Sequence, residues 1–243
     1  MPEDLTLLDS FAWEAVKKAL NQRVVVSSAR LVSSRVNRVW VVETDVRPVV
    51  VKRFLSGKSG NEFESLLIAK RAGLSVPYPL CKERDYLVTE YISGESCDVM
   101  INKMFSDAAA EGIGSWLASY HSLLSDGPSK RIMVDASLSN FILSDGRVFG
   151  VDLEDSKTGD PMDDIGKAAA SVLDSEPFFT PVKFDLCAKM IRSYEKEMGC
   201  EIMERVRPFV SKHLREDARL KPLFRRTLLV AARSLETGWP RLV

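Results

Sequence analysis

The sequence contains few of the residues that commonly bind zinc. Its two histidines, His121 and His213, lie far apart, and its four cysteines are widely spaced without a CxxC pair. This spacing argues against a zinc site and a disulfide framework, and free thiols are typical of a reducing cytoplasm. Any catalysis must therefore depend mainly on carboxylates, lysine and asparagine. The cysteines are Cys81, Cys97, Cys187 and Cys200.

The sequence also lacks an excess of either charge and lacks long apolar runs. Lys and Arg together number 34, as do Asp and Glu, so the formal net charge is zero. A protein dedicated to nucleic acid or to an anionic membrane would usually be more basic. The longest apolar stretches are too short to span a bilayer, and the first ten residues lack the apolar segment of a signal peptide. We therefore expect a cytoplasmic protein with no membrane partner.

The first 92 residues are rich in valine runs separated by polar turn residues. This pattern is typical of an antiparallel meander. Asn61 is a candidate N-cap for a helix that Gly73 would end. We predict a helix, three strands, a second helix and two more strands at 8–20, 24–32, 39–43, 48–54, 61–72, 78–82 and 86–91.

Helical patterns dominate from residue 93 onward. Apolar residues recur at helical spacing within 107–124, and Asp160 followed by Pro161 is typical of a helix start. We therefore predict an α+β protein with a β-rich domain at 1–92 and a larger helical domain at 93–243. Further helices are predicted at 161–174, 182–198, 200–214 and 217–236.

The segment 134–164 carries most of the candidate chemistry, with eight acidic and two basic residues. Asp135 and Asn140 precede a short apolar strand, an Asp-Gly turn follows, and a second strand ends just before Asp152. Such a hairpin would bring Asn140 and Asp152 together, and their oxygens suit Mg²⁺. Asp135 could accept a proton from a hydroxyl. The alternative is a loop of solvated acids with a capping asparagine.

The spacing of these residues resembles the protein-kinase-like fold, in which a loop H-x-D-x-x-x-x-N precedes a hairpin and a metal-binding Asp. The continuation GVDLEDSKTGDPMDDIGK is similar to the small-molecule branch of that superfamily, which includes aminoglycoside phosphotransferases and choline kinases. The resemblance covers about residues 28–175. It implies a two-lobed fold, Asp135 as the catalytic base, and Asn140 and Asp152 as Mg²⁺ ligands.

The same resemblance assigns a nucleotide-binding lysine and its partner. Lys52 ends the run Val-Val-Val-Lys, as does the strand lysine that contacts the α- and β-phosphates of ATP in kinases. Glu62 is the first candidate to pair with Lys52, and Glu64 is the second. The alternative for Lys52 is an exposed lysine at a strand end.

The last strand of the first domain resembles the strand that leads into a kinase hinge. By that resemblance Thr89 is the gatekeeper, and the backbone groups of Glu90 and Ile92 bind adenine. The alternative is an ordinary edge strand.

Two features depart from the kinase pattern. The loop at 33–38, which should cover the phosphates, contains no glycine, although glycine eases the approach of backbone to phosphate. Side chains of Ser33, Ser34, Arg35 or Asn37 are candidates to replace it, and weak nucleotide affinity is the alternative. Met133 occupies the position of the loop histidine. Neither change removes the base or a metal ligand.

These features lead to a functional hypothesis. We expect an ATP- and Mg²⁺-dependent phosphotransferase that acts on a hydroxyl of a small molecule, because Asp160 follows Asp152 by only eight positions and leaves no room for a peptide-binding segment. A nucleotide-binding pseudokinase and an atypical RIO-like protein kinase remain as alternatives, so a protein partner stays open.

Three subsidiary expectations concern the helical domain. Asp164 is expected to brace the catalytic loop, and His121 to be a core histidine. The helices after residue 165 are expected to form the acceptor pocket, with arginines that bind an anionic group. The alternative is that these arginines only balance acids on neighbouring helices. They are Arg219, Arg225, Arg226 and Arg233.

Overall fold

A computed structural model describes residues 8–21, 23–32, 36–55, 57–125 and 129–239. The chain forms two compact units. Unit 1 comprises Met1–Ser93 together with Asp152–Asp155, and unit 2 comprises Gly94–Val151 and Ser156–Val243. The sequence placed a boundary after residue 92 but did not predict that four later residues would belong to unit 1.

The centre of unit 1 is a five-stranded antiparallel sheet with the order β1-β2-β3-β5-β4. The valine-rich runs form its strands because β-branched side chains pack well on a pleated surface. Val49, Val51 and Val88 are fully buried and belong to the core of this unit. Its elements are α1 (Ser10–Leu20), β1 (Val26–Val32), β2 (Arg38–Thr44), β3 (Val49–Arg53), α2 (Ser59–Arg71), β4 (Pro79–Glu83) and β5 (Tyr86–Glu90).

Helix α1 packs its apolar face into the same core. Asp9 caps its first turn, since the Asp9 carboxylate accepts a hydrogen bond of 3.0 Å from the Ala12 amide. Ala12, Ala15 and Val16 are fully buried against the sheet. The leading helix predicted from the sequence is thus part of the unit 1 core.

Helix α2 begins earlier than predicted. Asn61 is not its N-cap: the helix starts at Ser59, and the Asn61 side-chain amide donates to the backbone carbonyl of Glu154. A polar side chain near a helix start can serve a distant backbone group as well as a local one, and the sequence does not distinguish the two. The predicted stop at Gly73 is confirmed by its positive φ of 86°.

Unit 2 is largely helical. Helix α4 buries Ile113, Trp116 and Leu117 on one face, and it lies very close to α6, where a β-carbon on Gly114 would sit 2.1 Å from the Met190 carbonyl oxygen. Its elements are β6 (Glu95–Ser96), α3 (Cys97–Asn102), α4 (Asp107–Leu123), β7 (Lys130–Ile132), β8 (Phe141–Ser144), β9 (Arg147–Gly150), β10 (Lys157–Gly159), α5 (Pro161–Leu173), α6 (Pro181–Met198), α7 (Met203–Leu220) and α8 (Arg225–Thr237).

Two predicted helix boundaries in unit 2 have different outcomes. The start of α5 is confirmed, because Asp160 accepts from the Met162 amide at 3.0 Å and Pro161 occupies the first turn. The predicted break between residues 214 and 217 is wrong. Helix α7 continues through these residues to Leu220, since none of them is a helix breaker, and Pro222 follows its end. No helix in the described part of the chain is long and apolar enough to cross a membrane.

Candidate active site

Lys52 is the centre of a charge cluster in unit 1. It lies on β3, which pairs with β2 on one side and β5 on the other, and only 8% of the residue is exposed. Its ammonium nitrogen lies 2.8 Å from Glu62, 2.6 Å from Asp152 and 3.1 Å from Glu154. The alternative of an exposed strand-end lysine is therefore wrong.

The helix phase of α2 decides which glutamate pairs with Lys52. Glu62 lies on the buried face of α2 and is 4% exposed, whereas Glu64 is exposed. Burial raises the pKa of Glu62 to about 7, because the attraction of Lys52 is opposed by the carboxylates of Asp152 and Glu154. Burial alone would lower the pKa of Lys52, but Glu62 and Asp152 outweigh it and hold that pKa above its ordinary value.

Glu154 is a site residue that the sequence analysis did not assign. Its carboxylate accepts a hydrogen bond of 2.7 Å from the Asn37 side-chain nitrogen, and the Asn37 side-chain oxygen Oδ1 accepts from the Leu55 amide at 3.3 Å. The buried Asn37 therefore holds Glu154 rather than offering a free group to a phosphate. The sequence contained a signal for Glu154, since it lies two residues after Asp152 in the acidic segment 134–164. The other candidates from the glycine-free loop, Ser33, Ser34 and Arg35, lie outside the described residues.

The backbone of this acidic segment has an unusual conformation. Asp152 has a φ of 65°, in the left-handed region that non-glycine residues seldom adopt. Such a conformation costs on the order of 1–3 kcal/mol and persists only where surrounding contacts hold it. Lys52 contacts the Asp152 side chain, Asn61 binds the Glu154 carbonyl, and Lys58 pairs with Asp155. These contacts fix the direction of the Asp152 carboxylate.

The cluster has the ligand chemistry of a divalent-cation site. One carboxylate oxygen each from Glu62, Asp152 and Glu154 lies within 4.8 Å of the others. Lys52 is the ammonium that contacts all three, so three negative charges face one positive charge. Hard cations such as Mg²⁺ prefer oxygen ligands of this type. Asp152 is the most exposed of the three, with 39% of its side chain accessible, and is the carboxylate best placed to accept such an ion beside Lys52.

In unit 2, Asp164 holds the loop that contains Asp135. The fully buried Asp164 carboxylate accepts hydrogen bonds from the Met133 amide at 2.6 Å and the Val134 amide at 2.8 Å. Val134 has a φ of 76°, which is strained for a β-branched residue. The prediction that Asp164 braces this loop is confirmed.

His121 supports Asp164 from the core. Its Nε2 lies 3.0 Å from Asp164, and its Nδ1 lies 3.1 Å from the Tyr194 hydroxyl. All three side chains are buried. Because the carboxylate is the acceptor, His121 donates from Nε2 to Asp164. His121 is thus a core histidine, as predicted, and its contact with Asp164 is what the sequence could not show.

Asp135 is exposed and is oriented by its own loop. The Ser137 hydroxyl donates to one of its carboxylate oxygens. The Asn140 side-chain amide nitrogen donates to the other oxygen at 3.2 Å and to the Asp135 carbonyl at 2.9 Å. Both of these bonds use the nitrogen of the Asn140 side chain and not its oxygen. The Val151 amide donates to the Asn140 carbonyl at 2.9 Å, at the open end of the hairpin β8–β9.

The predicted hinge strand lies inside the sheet. Strand β5 pairs with β3 and β4, so the alternative of an edge strand is wrong. Thr89 is buried, and the Glu90 amide donates to the Tyr78 carbonyl at 3.0 Å. The Glu90 side chain pairs with Lys70 at 3.3 Å, and Ile92 just beyond the strand is half-buried. The Glu90 amide is therefore already used, which leaves its carbonyl as a candidate adenine contact.

No family model and no curated protein matches the chain. A choline/ethanolamine kinase family protein from Mesorhizobium loti aligns with 89% of this chain and 90% of its own, at 14% identity and a TM-score of 0.66. The protein has the protein-kinase-like fold.

Two further structures have the same kinase-like fold. The ADP-bound aminoglycoside phosphotransferase APH(2″)-Ib aligns with 94% of this chain and 97% of its own, at 16% identity and a TM-score of 0.61. Amicoumacin kinase hAmiN, in complex with AMP-PNP, Ca²⁺ and Ami, aligns with 88% of this chain and 82% of its own, at 11% identity and a TM-score of 0.62. The likeness extends over most of each chain and establishes the fold.

Proposed function

We propose that the protein is an ATP- and Mg²⁺-dependent phosphotransferase that moves the γ-phosphoryl group of ATP to a hydroxyl of a small molecule. The observation that carries the proposal is the buried Lys52, shared among Glu62, Asp152 and Glu154. Burial of a charged group has a large desolvation cost, so a buried ion pair of this kind is weak evidence for a purely stabilising role. In a kinase-like fold, a strand lysine paired with a helix glutamate binds the phosphates of ATP.

We propose the remaining nucleotide contacts from the resemblance of the sequence to kinases. Lys52, held by Glu62, binds the α- and β-phosphates, while the Glu90 carbonyl and the Ile92 amide bind adenine. Asp152 and the side-chain oxygen of Asn140 would hold Mg²⁺. When bound, this ion neutralises negative charge on the phosphates.

Asp135 acts on the acceptor. Its exposed carboxylate takes the proton of the acceptor hydroxyl, whose oxygen forms a new bond to the γ-phosphorus while the bond to the β-phosphate oxygen breaks, so that ADP leaves. Ser137 and Asn140 direct the carboxylate, and Asp164 keeps the preceding backbone in place. The direction of the base matters because a displacement of about 1 Å can lower turnover about 100-fold.

Two alternatives differ in what they predict. A pseudokinase would bind nucleotide without transfer, and the glycine-free loop and Met133 favour it. The retained Lys52, Asp135 and Asp152 oppose it. A protein kinase would need a platform for peptide after Asp152, but the chain passes directly through β10 into the Asp160 cap of α5. A small acceptor therefore fits better than a protein.

The test is transfer of labelled γ-phosphate from MgATP to a panel of sugars, amino alcohols, hydroxy acids and generic proteins. Asp152→Ala should abolish transfer and weaken MgATP binding. Asp135→Asn should spare nucleotide binding but lower kcat about 100-fold or more. Asp145→Asn, in the exposed turn between β8 and β9, is the matched control and should keep full activity.

Each result of that assay has a clear meaning. Unchanged turnover in Asp135→Asn on a true acceptor would refute the assignment of the base. MgATP binding by all variants, with no transfer by the wild type to any acceptor, would establish the pseudokinase alternative instead.

A further inference from the structure

Unit 2 contains a cavity of about 460 Å³ between the start of α6 and one face of α8. Its walls are mainly apolar, with Phe179 and Phe184 on one side and Val230, Ala231 and Leu235 on the other. Arg226 and two hydroxyl side chains supply the polar groups. A mainly apolar cavity of this size with few polar groups is typical of a small-molecule site.

The stretch of chain that forms the α8 wall of the cavity is basic, although Glu236 follows the lining residue Leu235 and Asp185 follows Phe184. Residues 218–235 include five Lys or Arg and no Asp or Glu. Lys221 is used elsewhere, because it pairs with Asp174 at 2.6 Å. Arg226 forms no ion pair with any residue that the structure describes, and it lines the cavity itself. Of the four arginines considered from the sequence, Arg226 is the one that lines the cavity.

The cavity wall is connected to the catalytic loop through α5. The Ser171 hydroxyl of α5 accepts a hydrogen bond of 3.3 Å from the Leu138 amide, which lies three residues after Asp135. Two residues later, the Leu173 carbonyl accepts from the Phe179 amide at 3.1 Å. The end of α5 that supports residues 138–140 thus also positions Phe179.

The wall is also held rigidly. The fully buried Lys183, in the first turn of α6, donates to the Val172 carbonyl at 3.2 Å and to the Ser175 hydroxyl at 3.1 Å. These bonds attach the start of α6 to the C-terminal end of α5, where a cation is favoured by the helix dipole. Phe178 packs on Phe224 with ring centroids 4.5 Å apart. A preformed cavity loses little entropy when it binds a ligand.

We propose that this cavity binds the acceptor, and that the acceptor is amphipathic, with an apolar body and a carboxylate or phosphate that pairs with Arg226. This inference rests on the proposed phosphotransferase function and names the class of its substrate. The apolar body contacts Phe179, Phe184 and Val230, and the guanidinium binds the anionic group through two parallel hydrogen bonds.

The first experiment measures ligand binding without any enzymatic step. The probes are 8-anilinonaphthalene-1-sulfonate, an apolar anion, and N-phenyl-1-naphthylamine, its uncharged analogue, both followed by fluorescence. Arg226→Leu should weaken binding of the anion about tenfold or more, equivalent to about 1.4 kcal/mol, and leave the uncharged probe unaffected. Arg233→Leu, an exposed change on the same helix, is the control and should alter neither affinity.

A second pair of variants tests the cavity itself. Ala231→Trp should fill it and weaken both probes. If that variant fails to fold by circular dichroism, Val230→Asp replaces it, because Val230 is 60% exposed and the added carboxylate should repel the anion alone. Equal loss of anion binding in Arg226→Leu and Arg233→Leu, or no loss in either, would overturn the assignment of Arg226.

The kinetic experiment connects the cavity with the acceptor. Aliphatic and aromatic hydroxy acids and phosphorylated alcohols are compared with their neutral esters as acceptors. For an acidic acceptor, Arg226→Leu should raise KM about tenfold while KM for ATP stays unchanged, and the naphthalene sulfonate should compete with the acceptor but not with ATP. The proposal would be overturned if the probes bind but never compete with an acceptor that the enzyme phosphorylates. If the probes bind as expected and no acceptor is phosphorylated, the phosphotransferase function fails and the ligand class of the cavity stands.

Discussion

Replacement of Asp164 by asparagine tests the hydrogen bonds that hold the backbone just before Asp135. The Asp164 carboxylate is fully buried and accepts three hydrogen bonds, from the Met133 and Val134 amides and from His121. An asparagine of the same shape keeps one oxygen but places an NH₂ group where the second oxygen was. That group would face another donor, either a backbone amide or the imidazole.

The expected magnitude follows from these contacts. A buried donor left without an acceptor costs about 1–3 kcal/mol, and loss of a charged acceptor in a buried network costs about 3–5 kcal/mol. Because one oxygen remains, we expect Asp164→Asn to lower the free energy of unfolding by about 2–4 kcal/mol. Val134 would also be released from its positive φ. Asp135 follows it directly, so kcat should fall by about tenfold or more.

Urea denaturation followed by circular dichroism measures the stability, and the transfer assay measures kcat. The control is Asp163→Asn, one position earlier on α5, where the carboxylate contacts Lys212 at 2.6 Å and His213 at 3.1 Å and is 30% exposed. This control should cost about 1 kcal/mol or less. The reasoning is refuted if Asp164→Asn is as stable as Asp163→Asn and retains wild-type kcat.

Two other predictions concern pH and packing. Burial raises the pKa of Asp174 to about 6 from its ordinary value of 3.8, although Lys221 opposes this shift. The folded state therefore binds the Asp174 proton more tightly than the unfolded state does. The contribution of Asp174 to stability is full below about pH 4 and is lost as the pH rises through 6. Asp174→Asn should remove this dependence of the unfolding free energy on pH. The prediction is contradicted if the unfolding free energies of the two proteins, measured at pH 4, 5, 6 and 7, change with pH by the same amount. Gly114→Ala places a β-carbon 2.1 Å from the Met190 carbonyl and should cost about 1–3 kcal/mol by separating α4 from α6. Gly60→Ala, whose β-carbon would meet no atom closer than 3.7 Å, should be neutral or stabilising, and a stable Gly114→Ala protein would show that α4 and α6 can move apart freely.

The parts of the site that depend on local sequence were predictable. The Asp-Gly turn after β8 has positive φ at both Asp145 and Gly146, as a two-residue hairpin requires, and it aligns Phe141 with Gly150. The cap at Asp160 is equally local, since its side chain serves an amide two residues later. Such features need only a few neighbouring residues, and those residues are visible in the sequence.

The sequence by itself determined that a lysine would end a buried strand, that glutamates would follow on a helix, and that an acidic segment would follow a hairpin. Tertiary structure alone decided which groups meet. Lys52 contacts Asp152 from 100 positions away, Asn37 reaches Glu154 across 117, and Asp164 binds the amides of residues 133 and 134 from about 30. The side chain of Asn61 was predicted to cap its own helix, but it donates to the distant Glu154 carbonyl instead. Contacts of this kind depend on how strands and helices pack, and many pairings of polar groups satisfy the same local pattern, so the local sequence leaves them undetermined.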